Sequence, residues 1–461
     1  MNQLIIIGFD EIVSNKYIDI IEKAIKDKQI SSYSIIDLED SKNEIKNRIS
    51  KIYIKPANEI YLKANKRNVG IEQIEDAFKT IQEKSQDKIK VYIATELRSH
   101  LFYLTYCLEK GYDCLIEKPI FAPLKKGVFY PQKISHTMKK ICNMAQKKDI
   151  KTSVMTLGRY HPIYNEILIE NIKKRVIKYS TPVTSINMRV NGGVWNLHKE
   201  YLEREDHPYK YGYGMLMHGA YHYLDIFIQL VELNKLIYPN DHMIMAVKTY
   251  AAYPFDQNDR ISKKISEKFD DYDKNFKKKN KNVKFGETDF VVAFELKNET
   301  KKSVITLGTL SFEQTTPSIR FWKDFPVGVY NKNGRISSVD VEAQLSVLYS
   351  MHVSCFDVPE KINNNIEKIG AKAVVTTRSN FNLLKDEEPI TEKEYNGLFH
   401  NISNKKVMEN WIYDKESKSR LSMHKNVMNL ISCIALSLKM NGKEIKSDLL
   451  WKIWIVKKNW V

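Results

Sequence analysis

Apolar positions along the first 120 residues switch repeatedly between two spacings. Residues 3–8 form a short apolar run ending at Gly8. Tyr17, Ile18, Ile21, Ala24 and Ile25 then recur at three- and four-residue intervals, the spacing of one buried helical face. Residues 33–37 (Tyr-Ser-Ile-Ile-Asp) predict a second short strand that ends in an acid. Residues 72–86 predict a helix and residues 89–95 a strand. A helix over 98–110 stops at Gly111, a natural C-cap, and residues 113–116 give the next strand. Strand and helix in alternation predict a parallel sheet with helices on both faces, a doubly wound, nucleotide-binding type of domain.

Beyond residue 150 the rhythm changes. Longer strands are expected around 183–190, 290–296 and 303–312, with Asn298-Glu-Thr300 joining the last two as a hairpin. This α+β pattern implies a largely antiparallel sheet. A helix over roughly 214–233 lies within it. Residues 420–456 are expected to form two helices that pack back on the first domain.

At 461 residues the chain is too long for one ordinary core, so two domains are expected. A composition that is 43% hydrophobic and 28% charged suits a globular protein, and without an 18-residue apolar run no membrane span is expected. The start, Met-Asn-Gln-Leu-Ile-Ile-Ile-Gly, reads as a first strand, not a signal peptide. Five cysteines without a Cys-x-x-Cys pair argue against a disulfide framework or zinc ribbon and fit a reducing cytoplasm. The net charge of +17 favours anionic partners, either a small anionic substrate or one tethered to an acidic carrier. Part of that charge lies in the lysine-rich run 274–284, read here as a solvated loop. Tyrosines number 26, but no nucleic-acid motif accompanies them, so nucleic acid is not an expected partner.

Candidate chemistry concentrates in two places. His218 and His222 are four residues apart in an apolar frame, which puts both imidazoles on one helical face. Imidazole titrates nearest neutrality, so it suits proton transfer. Lys118 follows an apolar strand and Glu117. The two histidines would need a third ligand to hold a metal; Asp225 and His198 are available but unfixed, and no metal is expected.

Four motifs, in order, carry a resemblance. They are Ile93-Ala94-Thr95 with His100, then Glu117-Lys118-Pro119, then Gly158-Arg159-Tyr160-His-Pro162, and Gly214 through Asp225. Together they resemble the glucose–fructose oxidoreductase/inositol dehydrogenase (Gfo/Idh/MocA) family. That resemblance implies an N-terminal Rossmann domain, here residues 1–122, binding NAD or NADP. It implies an α+β substrate and oligomerisation domain over 123–461 with an open sheet, and hence a homo-oligomer. By motif position Lys118 and His222 would be catalytic, and His218, Arg159, Tyr160 and Trp195 would contact substrate. Gly8, Phe9, Asp37, Thr95, His100, Glu117 and Lys118 would line the cofactor. Asp37, at the end of strand two, would bond the ribose hydroxyls and favour NAD.

The sequence departs from the family twice. The loop expected to read Gly-x-Gly-x-x-Gly reads Gly8-Phe-Asp10-Glu11-Ile-Val13, which puts bulk and negative charge where the pyrophosphate would approach. The loop is expected to take another path, or to bind a dinucleotide weakly or not at all. The family's aspartate four residues before the histidine is His218. Three functions follow: an NAD(P)-dependent oxidoreductase acting on a sugar-, cyclitol- or imine-type substrate; a binding or scaffold subunit; or an enzyme for a carrier-tethered substrate.

Overall fold

Leu4 through Ile7 are each at most 1% exposed, so β1 (Asn2–Ile7) is covered on both faces, as the central strand of a parallel sheet must be. The computed structural model describes residues 1–64, 69–83, 87–192, 196–205, 207–267, 273–317, 337–362, 365–398 and 400–449. After β1 come α1 (Ile18–Lys26), β2 (Ile30–Leu38), α2 (Lys42–Ser50), β3 (Asn58–Leu62), α3 (Ile71–Gln82), β4 (Lys88–Ile93), α4 (Leu97–Lys110) and β5 (Asp113–Glu117). A short hairpin, β6 (Leu124–Lys125) and β7 (Val128–Phe129), leads to α5 (Ile134–Lys147) and β8 (Thr152–Met155). The sheet runs β3-β2-β1-β4-β5-β8 with every pair parallel. Helix α4 starts where Glu96 accepts the Arg98 N–H and ends at Gly111 with φ +84°. The sheet therefore extends past residue 122, to β8. A run of four residues is too short for periodicity to register as a strand.

The second part contains α6 (Glu170–Tyr179), β9 (Ser185–Asn191), α7 (His198–Glu203), α8 (Met215–His218), α9 (Tyr221–Glu232) and β10 (Met243–Ala252). Then come α10 (Lys263–Ser266), α11 (Phe276–Lys279), β11 (Asp289–Asn298), β12 (Ser303–Glu313), β13 (Ser338–Leu345), β14 (Tyr349–Ile362), β15 (Asn365–Ser379) and β16 (Ile390–Tyr395). It closes with α12 (His400–Ile412), α13 (Lys425–Lys439) and β17 (Ile445–Asp448). Among the described residues the sheet order is β16-β15-β14-β13-β9-β12-β11-β10-β17. Only β9 and β12 pair in parallel, and β11–β12 is the expected hairpin. Helix α9 covers one face of this sheet: Phe227 meets Phe294 edge-on at 4.9 Å. A Cβ on Gly308 would lie 3.0 Å from the Phe227 ring. The opposite face is open, with Leu307 58% and Tyr250 65% exposed.

Three sequence expectations change. The helix expected over 214–233 is two pieces, because Gly214 and Gly219 bound a single turn before α9 begins. Over its described residues, 420–449, the C-terminal stretch holds one α-helix, α13, and then strand β17, while residues 450–456 of the expected pair lie outside the described residues. Asn441 and Gly442 at positive φ end the helix, and residues 445–448 add to the edge strand β10. Helix α13 does pack back, against α5 and the turn before it, where Ser135 donates to Asn429 Oδ1 at 3.0 Å and Ser432 to the Pro131 carbonyl at 3.1 Å. Helix α12 packs on the first sheet as well, its Val407, Met408 and Trp411 joining Leu4, Ile6, Tyr92 and Met155. Lys90, 2% exposed, donates to the carbonyls of Trp411 and Ile412 at 2.9 and 3.1 Å, satisfying the end of α12. Finally, the lysine-rich run is not a free loop. Its lysines are exposed, but Phe276 is 1% exposed and stacks on His198 at 4.2 Å, beside buried Tyr201 and Phe285. Averaging charge over the run hides that aromatic anchor.

Candidate active site

The carboxyl ends of β1, β2, β4 and β5 meet at one edge of the parallel sheet, the edge at which open α/β sheets bind ligands. Gly8 turns the chain there with φ +89°, and a Cβ on it would lie 2.8 Å from the Ala94 carbonyl oxygen. Only glycine fits. The next N–H, of Phe9, donates to Asp37 at 2.6 Å, and Leu38 N–H donates to the same carboxylate at 2.7 Å. Burial raises the Asp37 pKa, partly offset by these two N–H groups. Arg48 donates to the Phe9 carbonyl at 3.2 Å. Asp10 then caps the helix that follows: its side chain accepts the Val13 N–H at 2.9 Å. A carboxylate thus sits at the helix start, where a phosphate would otherwise find free N–H groups and a favourable dipole.

At the ends of β4 and β5, His100 lies between two carbonyls, Thr95 at 2.9 Å and Pro119 at 2.8 Å. A neutral ring donates to one of them, and burial lowers the His100 pKa despite both contacts. His100 thereby ties the two strand ends together. Glu117 accepts the Tyr92 hydroxyl at 2.7 Å. Burial raises the pKa of Glu117, opposed by that bond and by the Lys118 charge. Lys118 precedes a cis proline and donates from Nζ to the His218 carbonyl at 2.5 Å. It therefore reaches from the first sheet to the last residue of α8.

His218 is 7% exposed and boxed by the rings of His207 and Tyr209, each at 5.1 Å, and Tyr213 at 5.6 Å. Burial, reinforced by the charges of His207 and Lys118, holds its pKa well below the usual imidazole range, so the ring is neutral at pH 7. His222 is half-buried in the first turn of α9. The turn at Leu157–Arg159 packs directly beneath it: a Cβ on Gly158 would lie 3.3 Å from the His222 carbonyl oxygen. Lys118 thus touches the turn that leads into α9 and His222.

No family model matches the sequence, and no curated protein matches it either. Solved structures do match the whole chain. The fold is shared with several solved dehydrogenases. A levoglucosan dehydrogenase in complex with NADH superposes with a TM-score of 0.57 at 11% identity, over 97% of this chain and 99% of that one. The WlbA dehydrogenase from Bordetella pertussis, in complex with NADH and UDP-GlcNAcA, gives 0.54 at 11% identity, over 97% and 98%. A myo-inositol dehydrogenase from Corynebacterium glutamicum gives 0.52 at 12% identity, over 97% and 98%. The likeness to these dehydrogenases spans both parts of the fold.

Arg159 and Tyr160 both bond within the protein. Arg159 is 5% exposed and grips Asp225 with two bonds of 2.9 and 2.7 Å, while donating to the carbonyls of Lys418 and Met423. The Tyr160 hydroxyl accepts the Lys418 N–H at 2.9 Å. Both residues fasten the segment before α13 beneath α9; an Arg in an apolar motif reads equally as ligand or as buried ion pair until its partner is seen. Trp195 lies outside the described residues. Asp225 and His198 are likewise engaged, the latter accepting the Asp273 N–H at 2.9 Å. Among the described residues no three His, Cys, Asp or Glu side chains gather as a metal would need. No described helix is long and apolar enough to cross a membrane, and all five cysteines are buried and free. Sequence reasoning missed His207, Tyr209, Tyr213 and Glu287 around α8. The glycine before Glu287 was the one available signal.

Proposed function

We propose that this chain is an NAD(H)-dependent oxidoreductase acting on a small carbinol or carbonyl compound of sugar or cyclitol type. The observation that carries the reading is the Lys118 ammonium, bonded across the cleft to the His218 carbonyl on the turn that leads to His222. The named neighbours, dehydrogenases solved with NADH, support it. A nicotinamide ring, when bound, supplies or accepts the hydride. Gly8, Phe9 and Asp37 would hold the dinucleotide at the β1 and β2 ends, and Thr95 and Glu117 would line the β4 and β5 ends. Lys118 polarises the substrate oxygen and stabilises it while it carries negative charge. His222 removes or returns the proton of that oxygen. His218, neutral and enclosed, shapes the substrate side.

The turn at Gly8 and the Asp37 carboxylate fit a dinucleotide; the Asp10 cap fits its phosphates poorly. That cap favours a second reading, a binding or scaffold subunit with this fold. Reduced-nicotinamide fluorescence separates the two: the oxidoreductase binds NADH, and binds NADPH more weakly because Asp37 repels a 2′-phosphate. Failure to bind either at millimolar concentration would establish the scaffold reading, and equal binding would remove Asp37 from the site. The exposed lysines around α11 support an anionic or carrier-bound substrate, and the open sheet face supports a homo-oligomer.

A further inference from the structure

Glu287 is 5% exposed and lies on the segment entering β11, outside every motif described above. Its backbone crosses the entrance of α8 with no space to spare. A Cβ on Gly214 would lie 2.0 Å from the Glu287 carbonyl oxygen, and one on Gly286 would lie 2.0 Å from the Tyr213 carbonyl carbon. Two bonds then lock this crossing to the turn: Met215 N–H donates to the Glu287 carbonyl at 2.8 Å, and Leu216 N–H to its carboxyl Oε1 at 2.8 Å. Four residues cannot sustain a helix by themselves. This turn instead has an acid on its first N–H groups and, at its last carbonyl, the Lys118 ammonium, each charge matched to its end of the turn.

We propose that Glu287 is a positioning residue for Lys118, acting through the single turn of α8. The proposal rests on reading Lys118 as the group that meets the substrate oxygen. It adds a dependence on pH. Burial pushes the Glu287 carboxyl up to about 7, against the pull of the backbone N–H groups it accepts. Bonds to an ionised carboxylate are about twice as strong as neutral ones. Protonation, with the carboxyl still buried, therefore weakens its hold on the α8 N–H groups and with it the seat of Lys118, even though burial makes the protonated form the more stable one overall. The groups facing Glu287 are the Tyr209 and Tyr253 phenols, with Asp289 and Arg204 across Tyr209. His218 lies at the other end of the turn, against the His207 ring.

The test needs neither substrate nor cofactor. The full chain is acetylated with trace acetic anhydride at pH 6 and pH 8, and mass spectrometry gives labelling of Lys118 relative to the exposed Lys385. The ratio cancels the pH dependence common to amines. In the wild type it should rise severalfold from pH 8 to pH 6. Glu287→Gln should abolish that step, and it separates the Glu287 titration from any effect of His207. Glu287→Leu should give a high ratio at both pH values. A flat wild-type ratio, or the same step in Glu287→Gln, overturns the proposal. If Glu287→Leu does not fold, Glu287→Gln alone decides. A Glu287-dependent step in a protein that binds no NADH would sink the oxidoreductase reading and leave this one standing.

Discussion

Asp10 offers a direct measure of how this fold handles a dinucleotide phosphate. Its carboxylate accepts the Val13 N–H at 2.9 Å and occupies the start of the helix after β1. A pyrophosphate brought there meets a like charge and a helix end that is already capped. For unit charges about 5 Å apart the repulsion is about 0.8 kcal/mol in water and about 3 kcal/mol at an effective dielectric of 20. Asp10 is exposed, so the lower figure governs, about a fourfold change in affinity for each phosphate charge. Asp10→Asn keeps the cap, since Asn and Asp serve equally well there, and removes only the charge. Asp10→Gly also frees the N–H groups, at a few tenths of a kcal/mol in helix stability. Both variants should bind NADH more tightly by fluorescence titration at low salt, with Gly at least equal to Asn. The gain should shrink toward 1 M salt, where the screening length falls to about 3 Å. Unchanged affinity at low salt in both folded variants would refute the reasoning, because the phosphates would then lie away from this helix start.

Lys118→Met and His222→Ala should each abolish turnover of the eventual substrate, His222→Ala by about 10²–10⁴-fold, while NADH affinity stays near wild type; His218→Ala should be milder, and an equal loss that responds to added zinc would make the histidines metal ligands. Phe276→Ala should destabilise the fold by about 3–5 kcal/mol in denaturant titration, since Phe276 is 1% exposed and anchors the lysine-rich run; an unchanged midpoint would return that run to a free loop. The folded-state pKa of Glu287 is raised from 4.5 to about 7, so the folded chain keeps a proton that the unfolded chain releases between those values. Stability from this group is full below about pH 4.5 and falls as pH rises toward 7, by on the order of 3 kcal/mol. Glu287→Gln should therefore melt above wild type at pH 8 and level with it near pH 4.5; a gap that widens toward acid would contradict the burial argument.

The sequence alone determined most of the parallel sheet, because β1, β2, β4 and β5 each hold a buried apolar run and amphipathic helices lie between them; β3, with Glu59 exposed and only Asn58 and Leu62 buried, gave no such run. Periodicity measures burial, and here burial and secondary structure coincide. The ordered motifs also placed Lys118, His222, Gly8 and Asp37 at strand ends or on the facing helix. What stayed hidden depends on partners distant in sequence. Arg159 became structural only through Asp225 and the carbonyls of residues 418 and 423, more than 250 residues further along the chain. Residues 274–284 read as solvated because lysine dominates their average, while one phenylalanine finds its partner in His198. Glu287 carries no motif; its role arises where two glycine backbones touch. Local pattern reports which side of an element faces inward, and only the tertiary structure decides which groups meet there and how their charges are balanced.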